Sequence, residues 1–399
     1  VYLVKLSVIA AFSIILIILT VGEVISAKTK AFVPSVFVSA VLFLLGFWTF
    51  LPPDIITQGS FAKPVVFLFM YLLITHMGTL MSVSELLRQW RTVLIGLAGN
   101  AGICLLALTL GNALFGWEAV VAATPPLTGG VVASILMTGA AKAKGLTTIA
   151  VLATSVYIMQ GFFGYPITAW LLKKEGKRLV DLVRSGKVVI KPEPRSLGAM
   201  AAVKQSRFRI IPPLPEKYQT PYIILAKLGI VAWLASQVAP LIHVNEFVLC
   251  LLFGVIGREI GLLEEQALNK ANAFGFLMTG LMAFIFANLA EATPAMLAQI
   301  ALPLFGLIII GMIGMAIMSI LVGKLLGETK EMALSVAMTA LYGFPADYIL
   351  TIEAIKSVSG NEEEYHYTLN QMLPKMLVGG FVTVTITSVI IAGFFVKLL

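Results

Sequence analysis

Long apolar runs separated by short polar breaks pattern the whole chain. Before residue 173 they cover roughly 4–26, 33–51, 64–81, 91–111, 116–142 and 145–172. After residue 219 they cover roughly 220–240, 246–257, 273–290, 298–323, 331–357 and 367–396. A helix needs about 20 apolar residues to cross a ~30 Å hydrocarbon core, and most runs approach that length. The ten-residue alternation of a membrane β-barrel does not appear, so the runs predict helices. Six runs, a linker and six runs of matching order predict an internal repeat. An N-terminal repeat covers 1–172, a linker 173–219 and a C-terminal repeat 220–399.

Two runs are interrupted near their centres. AATPPLTGGVVAS spans Ala122 to Ser134, and TALYGFPADY spans Thr339 to Tyr348. Proline removes a backbone donor and glycine loosens what remains. In lipid, irregular backbone is tolerated only where it is buried in protein or faces a water-filled cavity. Other echoes fit a repeat. A polar turn follows a helix at Met77–Trp90 and again at Ala287–Gln299, and in each case a Gly-rich helix comes next.

Composition excludes a soluble globule. Hydrophobic residues make up 59%, charged residues 12%, and the mean hydropathy is +0.97, against roughly 25% charged residues in soluble domains. The net charge of +8 is concentrated. Residues 173–217 hold twelve of the 28 Lys and Arg and only four acids, a surplus equal to the whole net charge. Such a loop fits the cytoplasmic side under the positive-inside rule. A nucleic-acid surface would need aromatics and a fold around it, so no nucleic-acid partner is expected. Cys104 and Cys250 lie inside apolar runs and read as small buried hydrophobes. The first run is too long for a signal-peptide core and lacks a small-residue cleavage pattern, so it reads as a retained helix.

Charge parity sharpens the topology. If all six first-half runs cross, Lys28, Lys30, Arg88, Arg91, Lys142 and Lys144 fall outside, while Asp54 and Glu118 fall inside. If 116–142 instead enters and leaves by one face, only Lys142 and Lys144 remain misplaced. The broken TPPLTGG run therefore predicts a re-entrant hairpin. A second hairpin over 331–357 puts Arg258, Lys270, Lys324 and Lys330 inside. The expected fold class is an all-α polytopic membrane protein with an inverted-topology repeat of two halves. Each half has five transmembrane helices plus a re-entrant helical hairpin. Inverted repeats with breaks at matching positions point to a secondary transporter with its site between the breaks.

On these features the chain resembles the bacterial sodium/glutamate symporter family and, more distantly, the sodium/citrate (2-hydroxycarboxylate) symporters. The resemblance covers nearly the whole chain. It rests on the Pro-led helix at Val33–Pro34, the polar turn at Met77–Gly78, TPPLTGG, the charged central loop, ANLAEATP and LYGFPAD. It implies two inverted five-helix halves, hairpin tips meeting near the membrane centre, and sodium-driven uptake of an anionic substrate by an elevator-like motion. The tip positions Thr128 to Gly130 and Tyr342 to Gly343 carry over. The chain departs from the pattern in Pro125 and Pro126 before the first tip, and in Asp347 after the second. Glutamate itself is therefore not carried over, and the substrate class stays a small organic anion or amino acid.

Candidate site residues follow from both lines. Thr124, Pro125, Thr128, Gly129 and Gly130 offer hydroxyls and freed backbone to a substrate or to Na⁺, against a proline kink satisfied by neighbouring helices. Tyr342, Gly343 and Pro345 form the second break. Asp347 is an acid deep in an apolar run, where a charge costs at least ~2.5 kcal/mol on insertion scales. It reads as a Na⁺ ligand, together with Thr128, or as a proton carrier, against a helix-capping acid. Lys375 is a counter-charge for Asp347, a substrate anchor, or a snorkelling lysine. Asn370 and Gln371 read as site liners or interfacial caps, with Tyr157 and Gln160 as their first-half counterparts. Asn288, Thr79, Glu23, Lys227 and His76 read more readily as structural or interfacial, and Glu362–Glu364 as a solvated acidic run.

The rival classes are weaker. No HExxH occurs, and Asp347 is the one aspartate inside a run, so a paired-aspartate protease is excluded. A channel usually needs several subunits around one pore. The expectation is a non-enzymatic symporter in a bacterial plasma membrane, coupled to Na⁺ or H⁺, with a small-molecule substrate, the lipid bilayer and a second copy (a homodimer) as partners.

Overall fold

The computed structural model describes residues 6–80, 88–186, 210–212, 215, 219–242 and 246–399, and the described residues contain helices and no strand. The helices are α1 (Val8–Lys28), α2 (Ser35–Thr49), α3 (Lys63–Thr79), α4 (Trp90–Leu106), α5 (Trp117–Thr128), α6 (Val131–Ala143) and α7 (Thr147–Arg184). After the linker come α8 (Pro221–Val238), α9 (Glu246–Glu259), α10 (Phe274–Ala287), α11 (Pro294–Leu325), α12 (Lys330–Met338), α13 (Ala346–Val358) and α14 (Glu362–Gly380). A π-helical turn, Phe381–Thr387, carries α14 into Ser388–Phe395.

Seven helical stretches among the described residues are long and apolar enough to cross a membrane. Three other expected crossings are shorter: α2 has 15 residues, α3 has 17 and α9 has 14. At 1.5 Å per residue they reach only about 21–26 Å. The apolar patterning is thus borne out as helix and membrane-embedded character. The basic stretch from Lys187 to Arg209, and Lys217, lie outside the described residues, as does the polar turn at 81–87.

The chain divides into two compact units, and each draws on both sequence halves. The first gathers the start of α1 with α3, α8, α9 and α10. Its tightest contact joins α3 to α9, where a Cβ at Gly78 would lie 2.6 Å from Val255 N. Small residues are what let helix backbones approach this closely. His76 is fully buried, and its Nδ1 accepts the Leu268 N–H at 3.2 Å. Thr79 Oγ1 accepts the neighbouring Ala267 N–H at 3.5 Å. Together they cap the short helix Ala267–Lys270, so both residues do structural work. Lys227 is ion-paired with Glu264.

The second unit contains α2, α4–α7, α11–α14 and the rest of α1. The Gly-rich helices α4 and α11 pack extensively, with Gly102 and Gly314 back to back, each against the other's backbone carbonyl. Helix α7 runs the length of the unit and packs against α5, α6, α12 and α13. Glu353 of α13 caps α2: its Oε2 accepts the Ser35 N–H at 3.1 Å and the Ser26 hydroxyl at 3.0 Å. A carboxylate at a helix N-terminus complements the helix dipole.

Candidate functional site

The site lies within the second unit, where both broken elements reach α14. The first break is not at the prolines. Helix α5 continues through Pro125 and Pro126 to Thr128, and the chain turns at Gly129 and Gly130. The two prolines remove the helical N–H donors that would reach the carbonyls of Val121 and Ala122. Two hydroxyls fold back onto the backbone: Thr124 Oγ1 donates to Val120 O at 2.7 Å and Thr128 Oγ1 to Pro125 O at 2.8 Å. Their oxygen lone pairs remain as acceptors. Gly129 and Gly130 adopt φ of +127° and +84°, a region closed to most side chains. Helices α5 and α6 pack on one another beyond this two-residue turn.

The second break follows a 3₁₀ turn, Thr339–Leu341. Gly343 (φ +62°) donates its N–H to Thr339 O at 2.7 Å, and α13 restarts at Ala346 after Pro345. Tyr342 donates its hydroxyl to Thr168 Oγ1 of α7 at 2.9 Å. Phe344 stacks on Phe381, with ring centroids 6.4 Å apart.

The two tips meet on the π-helical turn. A Cβ at Gly129 would lie 2.9 Å from the Ala340 carbonyl oxygen and 3.0 Å from Val384 Cα. One at Gly130 would lie 2.9 Å from Val384 O, and one at Gly343 3.0 Å from Val384 Cγ2. Val384 is thus the shared floor of both tips. The π geometry widens the helix by one residue and is over-represented at functional sites. Here Thr387 Oγ1 donates to Val382 O at 2.7 Å, and Ser388 Oγ donates to Val384 O.

Beside this junction is a buried polar cluster. Asp347 is fully buried in the first turn of α13. Its Oδ1 accepts the N–H of its neighbour Tyr348 at 2.6 Å, one of the free donors of the first turn, while the N-cap position is Pro345. Its Oδ2 is buried and has no hydrogen-bond partner, and it faces Gly380. Around the same glycine are Thr339 and Thr383, whose hydroxyl oxygens are 3.3 Å apart. Thr383 O accepts from Asn100 Nδ2 at 3.4 Å, and Asn100 Oδ1 is buried without a partner. The cluster therefore holds a carboxylate and two hydroxyls, oxygen groups that suit a hard cation, with Asn100 joined to its edge through Thr383 O. Among the described residues no ion pair engages Asp347 and no group of three His, Cys, Asp or Glu side chains forms.

Several expected members are elsewhere. Lys375 is committed to Glu328, with Nζ 2.8 and 2.7 Å from its two carboxylate oxygens, and so is not the partner of Asp347. Gln371 is exposed and Asn370 half-buried. They precede Gly380 by about ten residues, or ~15 Å along the helix. Thr128 belongs to the first tip, and no contact joins its hydroxyl to the Asp347 carboxylate. Gln160 is buried with Oε1 unpartnered, one turn before Gly164, which packs against Tyr342; Tyr157 is half-buried nearby. Asn100, Thr339 and Thr383 were missed. Their signal was present, since a polar side chain inside an apolar run is a site candidate by default.

No protein-family model matches the chain, and no curated protein matches it either.

Proposed function

We propose that the protein is a cation-coupled secondary transporter of a small organic anion or amino acid, working by elevator-type alternating access. The observation that carries this reading is the meeting of two glycine tips on one π-helical turn, beside an aspartate carboxylate buried without a cationic partner. Broken elements at matching positions of two inverted halves are how such transporters build a site from backbone groups. Five crossings and one hairpin per half, with the basic loop on the cytoplasmic face of a bacterial membrane, complete the proposed topology. The cation is Na⁺, held by the Asp347, Thr339 and Thr383 oxygens. The tips then receive the anion through exposed backbone N–H groups. A second reading has H⁺ as the coupling ion, because a lone buried carboxylate also suits a proton carrier.

Proteoliposomes carrying the protein test this directly. Amino acids and di- and tricarboxylates are offered under an imposed Na⁺ gradient, an imposed H⁺ gradient, or neither. Saturable uptake that requires one gradient is expected, and which gradient it requires selects between the two readings. Uptake indifferent to both gradients ends the coupled-symport reading.

A further inference from the structure

The turn that follows α1 and the start of α2 lie beside α7. Lys173 Nζ donates to Lys30 O at 2.6 Å, which ties the end of α1 to α7. Between α7 and the turn that leads from α1 into α2 lies an open groove of about 470 Å³, lined by Phe32, Pro34, Phe37, Pro166, Ile167 and Trp170. Its walls are almost wholly apolar, and Phe32 and Trp170 are exposed, at 74% and 56%. Tryptophan at such a boundary marks the headgroup level of a bilayer.

The rim is basic. On α7, Trp170, Lys173, Lys174 and Lys177 follow the spacing that shares one helix face. Lys28 and Lys30 end α1 and are exposed. Lys174 is occupied, over the Trp170 ring at 5.2 Å and paired with Glu331 at 3.1 Å. Among the described residues Lys28, Lys30 and Lys177 form no ion pair, and Lys173 spends one donor on a carbonyl. Of the nearby acids, Glu175 is engaged by Arg178, Glu331 by Lys174 and Glu353 by Ser26 and Ser35, while Asp181, one turn past Lys177, is exposed and in no ion pair among the described residues. Glu23 is exposed and more than a turn before Lys28.

We propose that this groove binds an anionic phospholipid, with an acyl chain along Phe37, Pro166 and Ile167 and the headgroup phosphate between Lys30, Lys173 and Lys177. A neutral lipid would fill the apolar floor and leave the three lysines unmatched. A free phosphate would meet the lysines and leave the floor bare. Only an anionic lipid satisfies both parts, and basic pockets between membrane helices select such headgroups. The proposal is independent of the transport reading.

Native mass spectrometry of the detergent-purified full chain tests it, with palmitoyl-oleoyl phosphatidylglycerol and phosphatidylcholine titrated separately. Phosphatidylglycerol is expected to bind more tightly, by about fivefold for each lysine engaged. The triple variant Lys30→Gln, Lys173→Gln, Lys177→Gln reduces phosphatidylglycerol to the phosphatidylcholine level, a fall on the order of 100-fold. The matching Lys→Arg triple variant retains the preference and controls for folding. Trp170→Ala weakens both lipids alike. Equal binding of the two lipids by the unaltered chain overturns the proposal. So does displacement of phosphatidylglycerol by millimolar inorganic phosphate, which would make the rim a plain anion site.

Discussion

Gly380 lies so close to Asp347 that a Cβ at position 380 would fall on the carboxylate Oδ2. The glycine on α14 and the acid on α13 are 33 positions apart in sequence, yet the first makes the seat of the second. Gly380→Ala is therefore expected to displace the Asp347 carboxylate from its position beside α14. Overpacking of this kind costs about 1–3 kcal/mol. The variant should melt at lower temperature and lose ion-dependent uptake; an unaltered ion response would show that the seat is irrelevant to the ion.

Asp347→Asn keeps the shape and removes the charge. An unpaired charge at this depth costs at least ~2.5 kcal/mol on insertion scales, so the variant should be as stable as the parent or more stable without ion. Saturating ion raises the melting temperature of the parent by mass action, and this increment should vanish in the variant. An ion-induced shift that survives in Asp347→Asn removes Asp347 from the ion site.

Gly129→Ala and Gly130→Ala each place a side chain at positive φ and against the backbone of the π-helical turn. With ψ of 153° and 143° both lie in a region held essentially by glycine, and a side chain there costs about 1–3 kcal/mol. Contact with Ala340 O or Val384 O adds to this. Both variants should unfold at lower temperature than Gly139→Ala, where a Cβ meets nothing within 4 Å. Equal melting of all three would contradict the tip geometry.

Lys375 and Glu328 form a partly buried pair, with side chains 22% and 18% exposed. Lys375→Met strands the acid and is expected to destabilise by about 1–3 kcal/mol. The exchange Lys375→Glu with Glu328→Lys should recover most of that loss and also restore uptake. Recovery of stability without uptake would return Lys375 to the substrate site.

The re-entrant reading of 116–142 predicts that its two ends share a face. In a chain lacking Cys104 and Cys250, Glu118→Cys and Lys144→Cys should both react with a membrane-impermeant maleimide from the outside. Labelling of the two from opposite faces would make the segment a kinked crossing.

Patterning along the chain determined helix, membrane and the two breaks, because lipid penalises every unpaired backbone group and leaves few alternatives. It also marked Asp347, since a lone acid in an apolar run is costly wherever the fold puts it. It placed the first tip at Thr128–Gly130, and the helix does end there: Pro125 and Pro126 sit within α5, and the turn falls at Gly129–Gly130. Proline only weakens a helix that neighbours can hold, whereas two successive residues at positive φ end it. The tertiary structure alone decided what surrounds the acid. Lys375 went to Glu328, in the turn between α11 and α12, because α12 packs on α14, and Asn370 and Gln371 stayed three turns short of Gly380. Asn100, Thr339 and Thr383 joined Asp347 instead. Thr339 lies eight residues before Asp347 in the same broken stretch, but Asn100 and Thr383 come from distant segments, and no spacing along the chain encodes a meeting that close helix packing creates.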